Sequence, residues 1–194
     1  MTRVHVTLGA TLMMVMAACG AEPPNAQDSA AAVPAVVVDT PRAESQPYVY
    51  VTEYGIGDLR AGMTLAQAAR AAAGIRLIPG TDSTECSYLE WTNAPAGVLV
   101  MFDEGTVARI DIDSVGVRTQ AGAQVGDSEA RIDSLYAGRV TTTPHKYEDG
   151  HYLTVTSLRA ADSLFRTVFE TVGGKVTRFR VGRTPQVEYV EGCS

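Results

Sequence analysis

One short pattern occurs twice in this chain, and that recurrence restricts the fold more than any other feature. Gly62-Met63-Thr64 opens an alanine-rich stretch that ends at Gly74, and Gly126-Asp127-Ser128 opens a second stretch that ends at Gly138. A hydroxyl residue capping orphan amides, followed by helix formers and then a glycine, predicts a short helix in each place. In the first, six of the nine residues after Thr64 are alanine, so the helix buries little area and needs a sheet to lie on. In the second, Ile132, Leu135 and Tyr136 sit at helical spacing and form an apolar stripe. Tyr88-Leu89 and Tyr152-Leu153 also correspond at the same offset of 64 positions.

The strands that follow correspond as well. Gly105-Thr-Val-Ala-Arg-Ile-Asp-Ile112 stands against Gly174-Lys-Val-Thr-Arg-Phe-Arg-Val181, both alternating between apolar and polar residues as half-buried strands do. Each follows an apolar run, Val98–Phe102 or Leu164–Phe169, across a glycine-containing turn suited to a hairpin. Each unit therefore reads as helix, strand, strand, hairpin, strand. The expected fold is α+β: two tandem units, about 48–115 and 116–194, each a short helix on an antiparallel sheet, packed into one compact domain. A strand is expected over Tyr48–Tyr54, with Tyr48, Tyr50 and Tyr54 on one face.

The N-terminus has a different character. Arg3 precedes an apolar run from about Val6 to Ala18, shorter than the roughly 20 residues of a membrane-spanning helix. Met16-Ala17-Ala18-Cys19 resembles a bacterial lipobox, with methionine where leucine is usual. The expectation is a leader over 1–18, a lipid on Cys19 and a proline- and alanine-rich tether over 19–47. Gly20 rather than aspartate follows the cysteine, which points to the outer membrane, with the domain facing the periplasm. A tether behind a lipobox, followed by Gly62-Met63-Thr64 and a hairpin sheet, resembles the small outer-membrane lipoprotein of the β-barrel assembly machinery. Two such units in one chain resemble the β-lactamase inhibitor protein fold, and the chain is also similar to uncharacterised lipoproteins of environmental Gram-negative bacteria. These resemblances imply a non-enzymatic module that binds another envelope protein through its sheet.

An exported chain permits disulfides, and with Cys19 lipidated the remaining pair is Cys86 and Cys193. Such a bridge encloses 107 residues, worth about 4–5 kcal/mol in loop entropy, and fastens an expected C-terminal strand, Gln186–Val190, to the first unit. The formal charge of −6 argues against nucleic acid as a partner. The sequence carries no nucleophile elbow, phosphate-cradling loop or zinc helix, so it reads as neither an enzyme nor a cofactor protein, and no metal is expected. His145 and His151 flank a polar loop, and Asp103, Glu104, Asp111 and Asp113 read as solvated carboxylates. Tyr48, Tyr50, Tyr54 and Trp91 serve either as interface anchors or as core. Arg109 and Arg178, at matching strand positions, are expected to point outward beside them. The leading reading is a protein-binding or structural module; the alternatives are a small-ligand carrier with a pocket between the units and an envelope hydrolase.

Overall fold

A computed structural model describes residues 49–193. The leader, Cys19, the tether and Tyr48 lie outside the described residues. Twelve strands and two helices make up the described chain. A four-stranded sheet combines β1 (Val49–Thr52), β2 (Gly55–Ile56), β3 (Leu59–Arg60) and β8 (Val117–Thr119) in the order β3-β2-β1-β8, with β1 and β8 parallel. The larger sheet is antiparallel throughout. One half contains β4 (Ile75–Arg76), β5 (Ser87–Trp91), β6 (Val98–Asp103) and β7 (Thr106–Ile112). The other contains β9 (Val140–Pro144), β10 (His151–Thr156), β11 (Phe165–Val172) and β12 (Lys175–Arg183). Their order is β4-β5-β6-β7-β12-β11-β10-β9, so the last strands of the two halves meet at the centre, with Val181 opposite Ile110.

The helices begin where the caps predict. In α1 (Leu65–Ala71) the Thr64 hydroxyl accepts from the Gln67 amide, and the Gln67 side chain accepts in return from the Thr64 amide at 2.8 Å. In α2 (Glu129–Leu135) Ser128 accepts from the Arg131 amide. Each helix start is tied to its half of the sheet by the same two backbone bonds. The Gly62 amide donates to the Val107 carbonyl at 2.7 Å and the Val107 amide to Met63 at 2.8 Å; Gly126 donates to Val176 at 2.8 Å and Val176 to Asp127 at 2.9 Å. The tight turn before each cap requires positive φ, +91° at Gly62 and +93° at Gly126, which glycine adopts without steric cost.

The fold class nevertheless differs from the α+β expectation. The two helices have only seven residues each, and the molecule is a mainly-β sandwich rather than a balanced tandem of helix-plus-sheet units. Area explains the difference. Of α1 only Ala68 is buried and of α2 only Ile132, so helices this small leave most of the large sheet's apolar face uncovered. Residues 49–60 and 117–119 cover it as a second β-layer. Val51, Ile56, Leu59 and Val117 join Phe102, Ile110, Ile112, Phe169 and Phe179 in one continuous core. The stretch between Ile112 and Gly126 supplies β8 to that layer.

The C-terminal segment also departs from expectation. Gln186–Glu188 is a turn of 3-10 helix rather than part of a strand, preceded by a cis Thr184–Pro185 bond. Proline has no amide to give a ladder, and the segment uses its carbonyls elsewhere.

Candidate functional site

The large sheet has a second face, and strand alternation determines what lies on it. Where Phe179, Val181, Ile110 and Ile112 point into the core, their neighbours Arg178, Arg180, Arg109 and Asp111 point the other way. Register places Arg180 opposite Asp111, Arg178 opposite Glu170 and Met101 opposite both Arg109 and Tyr88. The centre of a sheet made of apolar strands therefore carries a charged array on its outer side.

All of that array but Arg178 is largely buried. Arg109 is 3% and Arg180 2% exposed, and Glu170 is 7% exposed. Residues 184–193 run over it as a strap. Arg109 Nη1 donates to the carbonyls of Gln186 at 3.0 Å and Tyr189 at 2.6 Å, while Nε donates to Asp111 at 3.0 Å and Nη2 to the Tyr88 hydroxyl at 3.1 Å. Arg180 Nε donates to the Val187 carbonyl at 2.6 Å and Nη1 to Glu170 at 2.9 Å. The Val187 side chain is fully buried against Tyr152 and Val168, forming a small second core beneath the strap. Five guanidinium bonds thus go to strap carbonyls or buried carboxylates, which satisfies groups that would otherwise be costly to bury.

The electrostatics follow from burial and pairing. Burial pushes the Asp111 carboxyl above its ordinary range, with the Arg109 guanidinium pulling the other way. Burial lowers the Arg180 guanidinium, and the like charge of Arg109 adds to that. At Glu170 burial is the largest single influence and acts upward. His145, Arg180 and Arg178 together outweigh it and hold the carboxyl below its usual value. His145 Nδ1 accepts from the amides of Tyr147 and Glu148, which leaves Nε2 to donate to Glu170 at 2.9 Å, with the ring stacked on Tyr152.

The strap leaves part of the face open. A cleft of about 370 Å³ has Tyr88, Arg109, Asp111 and Arg178 on its floor and Val190–Gly192 of the strap as one wall; Leu99, half exposed, is on its rim. The Cys86–Cys193 bridge closes the strap end, and both cysteines border an adjoining cleft of about 390 Å³ together with Lys146 and Glu191. On the other side of the molecule a cleft of about 400 Å³ lies among Glu53, Tyr54, Thr119, Tyr136, Arg139 and Leu158. Its buried floor includes the Tyr136 hydroxyl, which donates to Thr119 at 2.7 Å.

The residues singled out from sequence are dispersed. Tyr50 is exposed on β1, but Tyr54 lies in the turn beyond it, donating to Asp162 at 2.6 Å and meeting Phe165 edge to face. They do not form the single tyrosine face expected, because β1 ends at Thr52. Trp91 packs against the main core. Arg178 is largely exposed, as expected, 3.6 Å from Glu170. Arg109 is not outward-facing in solvent; it is the strap's main anchor. Asp111 is likewise half-buried rather than solvated, while Asp113 is exposed. His145 and His151 do not converge: His151 Nδ1 lies 2.9 Å from Glu129. Among the described residues no group of three or more metal-ligating side chains comes together. Arg180, Glu170 and Val187 were not legible as site residues, since their strands and tail spell ordinary alternation.

No protein-family model matches this chain, and no curated protein matches it. Among solved structures it is similar to the uncharacterized protein YfeY from Escherichia coli, at 17% sequence identity and a TM-score of 0.43, over 69% of this chain and 99% of that one.

Proposed function

We propose that this chain is an outer-membrane lipoprotein, anchored through Cys19, whose folded domain is a protein-binding module that docks its partner on the strapped face of the large sheet. The observation that supports this reading is the pair of buried arginines, Arg109 and Arg180, donating to three backbone carbonyls of residues 186–189. A face built to hold one segment by its carbonyls is chemically suited to hold another beside it. The open cleft next to the strap, with Leu99 on its rim and Arg178 on its floor, offers the apolar and cationic contacts that anchor protein interfaces.

A photocrosslinking residue at Leu99, with Leu158 as the control on the opposite cleft, tests the reading in intact envelopes. Discrete adducts from Leu99 and none from Leu158 support it; adducts from Leu158 alone, or from neither, overturn it. The anchor is tested separately. Cys19→Ser should abolish acyl labelling and release the protein from membranes, and unchanged membrane attachment refutes it.

The carrier reading is favoured by one observation, the 400 Å³ cleft over Tyr136 and Thr119, which is of small-ligand size. Native mass spectrometry of protein purified from cells checks it, because a retained small molecule adds a discrete mass.

A further inference from the structure

The strap is held by two unequal parts. Residues 185–188 are fixed from within: Val187 is fully buried, Gln186 and Val187 accept from the two buried arginines, and the Gln186 side chain donates to Asp103 at 3.0 Å. Beyond them the contacts are peripheral. Tyr189 gives one carbonyl to Arg109, its ring is 41% exposed, and Glu191 meets Lys146 and Tyr147 at the surface. Exposed ion pairs of that kind hold a segment weakly. Val190, half-buried, packs on the edge of the small core around Val187, and the covalent fastening of residues 189–193 is the Cys86–Cys193 bridge, half-buried and bordering an open cleft that an attacking thiolate can enter.

We infer that this bridge is a thiol-operated latch that uncovers the docking face. A dithiol reductant attacks one sulfur as its thiolate, forming a mixed disulfide and expelling the other cysteine as a thiolate. Its second thiol then displaces the first cysteine. Two electrons and two protons pass to Cys86 and Cys193, and the reductant leaves as a disulfide. Residues 189–193 then detach while 185–188 stay seated. The strap wall of the 370 Å³ cleft, Val190–Gly192, moves away, and Arg109 Nη1 keeps Gln186 but loses Tyr189. One N–H of a buried guanidinium is left aimed into a widened groove floored by Tyr88, Asp111 and Arg178. The occupant that fits is an extended segment of a partner protein, supplying a carbonyl or carboxylate oxygen where Tyr189 had been. The regulatory consequence rests on the docking reading above; the latch itself does not.

Hydrogen exchange of the purified protein, with and without dithiothreitol, tests the latch. Amides of residues 189–192 should exchange at least about tenfold faster after reduction, while β7 and β12 stay protected over the same minutes. No acceleration overturns the latch, and so does loss of protection throughout both strands, which would make the bridge a support of the whole fold. The second arm repeats the Leu99 crosslink in the Cys86→Ser/Cys193→Ser variant, or in reduced envelopes if that variant does not accumulate. Adducts should rise severalfold. Faster strap exchange with Leu99 adducts present but not increased refutes the docking consequence of the latch, whereas no Leu99 adducts in either form overturns the reading that this face receives a partner.

Discussion

Replacing Arg180 with methionine tests the buried array most directly. Methionine roughly matches the aliphatic length of arginine and removes three things: the bond to Glu170 at 2.9 Å, the bond to the Val187 carbonyl at 2.6 Å and the cation over the Tyr152 ring. Breaking a buried ion pair by deleting one partner costs about 3–5 kcal/mol. Here the lower end applies, because Glu170 keeps His145 at 2.9 Å and Arg178 at 3.6 Å. The orphaned carbonyl adds about 1 kcal/mol, giving about 3–4 kcal/mol in all. Urea unfolding with the bridge intact, followed by fluorescence of the single tryptophan, Trp91, reads this as a midpoint lowered by about 2 M.

The pH dependence carries a sharper test. In the wild type the Glu170 carboxyl lies below its usual range, so its contribution to stability is complete above the unfolded-state value and is lost as pH falls toward the folded one. In the variant burial prevails and the carboxyl moves above the unfolded-state value. Its penalty is then present at neutral pH and shrinks on acidification. The variant's shrinking penalty narrows the gap between the proteins as pH drops from 7 toward 5, and the wild type's own loss narrows it further only below the ordinary glutamate range. Adding Glu170→Gln to Arg180→Met should also recover more than about 1 kcal/mol, because it removes the uncompensated charge. A loss below about 1 kcal/mol at pH 7, or a gap that widens with acid, refutes the account.

Gly182→Ala should prevent folding or cost about 3 kcal/mol or more. An added Cβ would lie 2.5 Å from the Ala108 carbonyl oxygen and 2.7 Å from Arg109 Cα, where β12 and β7 meet, and circular dichroism with thermal melting reads the result. Thr64→Ala removes the α1 cap and should cost about 1 kcal/mol, seen as a melting point lower by about 3 °C. Phe179→Ala, at a fully buried position in the centre of the core, should cost about 3–5 kcal/mol in urea unfolding.

Local signals in the sequence translated well into local structure. Thr64 and Ser128 start helices because a hydroxyl and the next turn's amides are a few residues apart, and the hairpins β6–β7 and β11–β12 follow from alternation around glycine turns. Cys86 and Cys193 form the bridge expected of them. What escaped is non-local. Gln-Val-Glu-Tyr-Val at 186–190 spells a strand, yet it buries one side chain, Val187, and spends three carbonyls on arginines from the two central strands, one of them distant in sequence. Nothing in a run such as Val-Thr-Arg-Phe-Arg-Val distinguishes an arginine facing water from one facing a strap. The area deficit of two seven-residue helices was legible in principle, because six alanines cannot cover an eight-stranded sheet.

The two faces of that sheet also explain why its charges were misread. An eight-stranded sheet whose strands alternate apolar and polar has one side committed to a core, and the other side is normally solvated. A row that pairs Arg180 with Asp111, and Glu170 with Arg178, is stable in water on its own, so the sheet does not need the strap to satisfy its charges. The strap, by contrast, needs the sheet. Its carbonyls at 186, 187 and 189 find donors only because two arginines stand side by side on the central strands β7 and β12. Releasing residues 189–193 therefore leaves Arg109 with Asp111 and Gln186, and Arg180 with Glu170 and Val187, without orphaning any charge. This asymmetry permits local opening without loss of the core: the covering segment is the dependent partner, and the face beneath is a surface complete in itself.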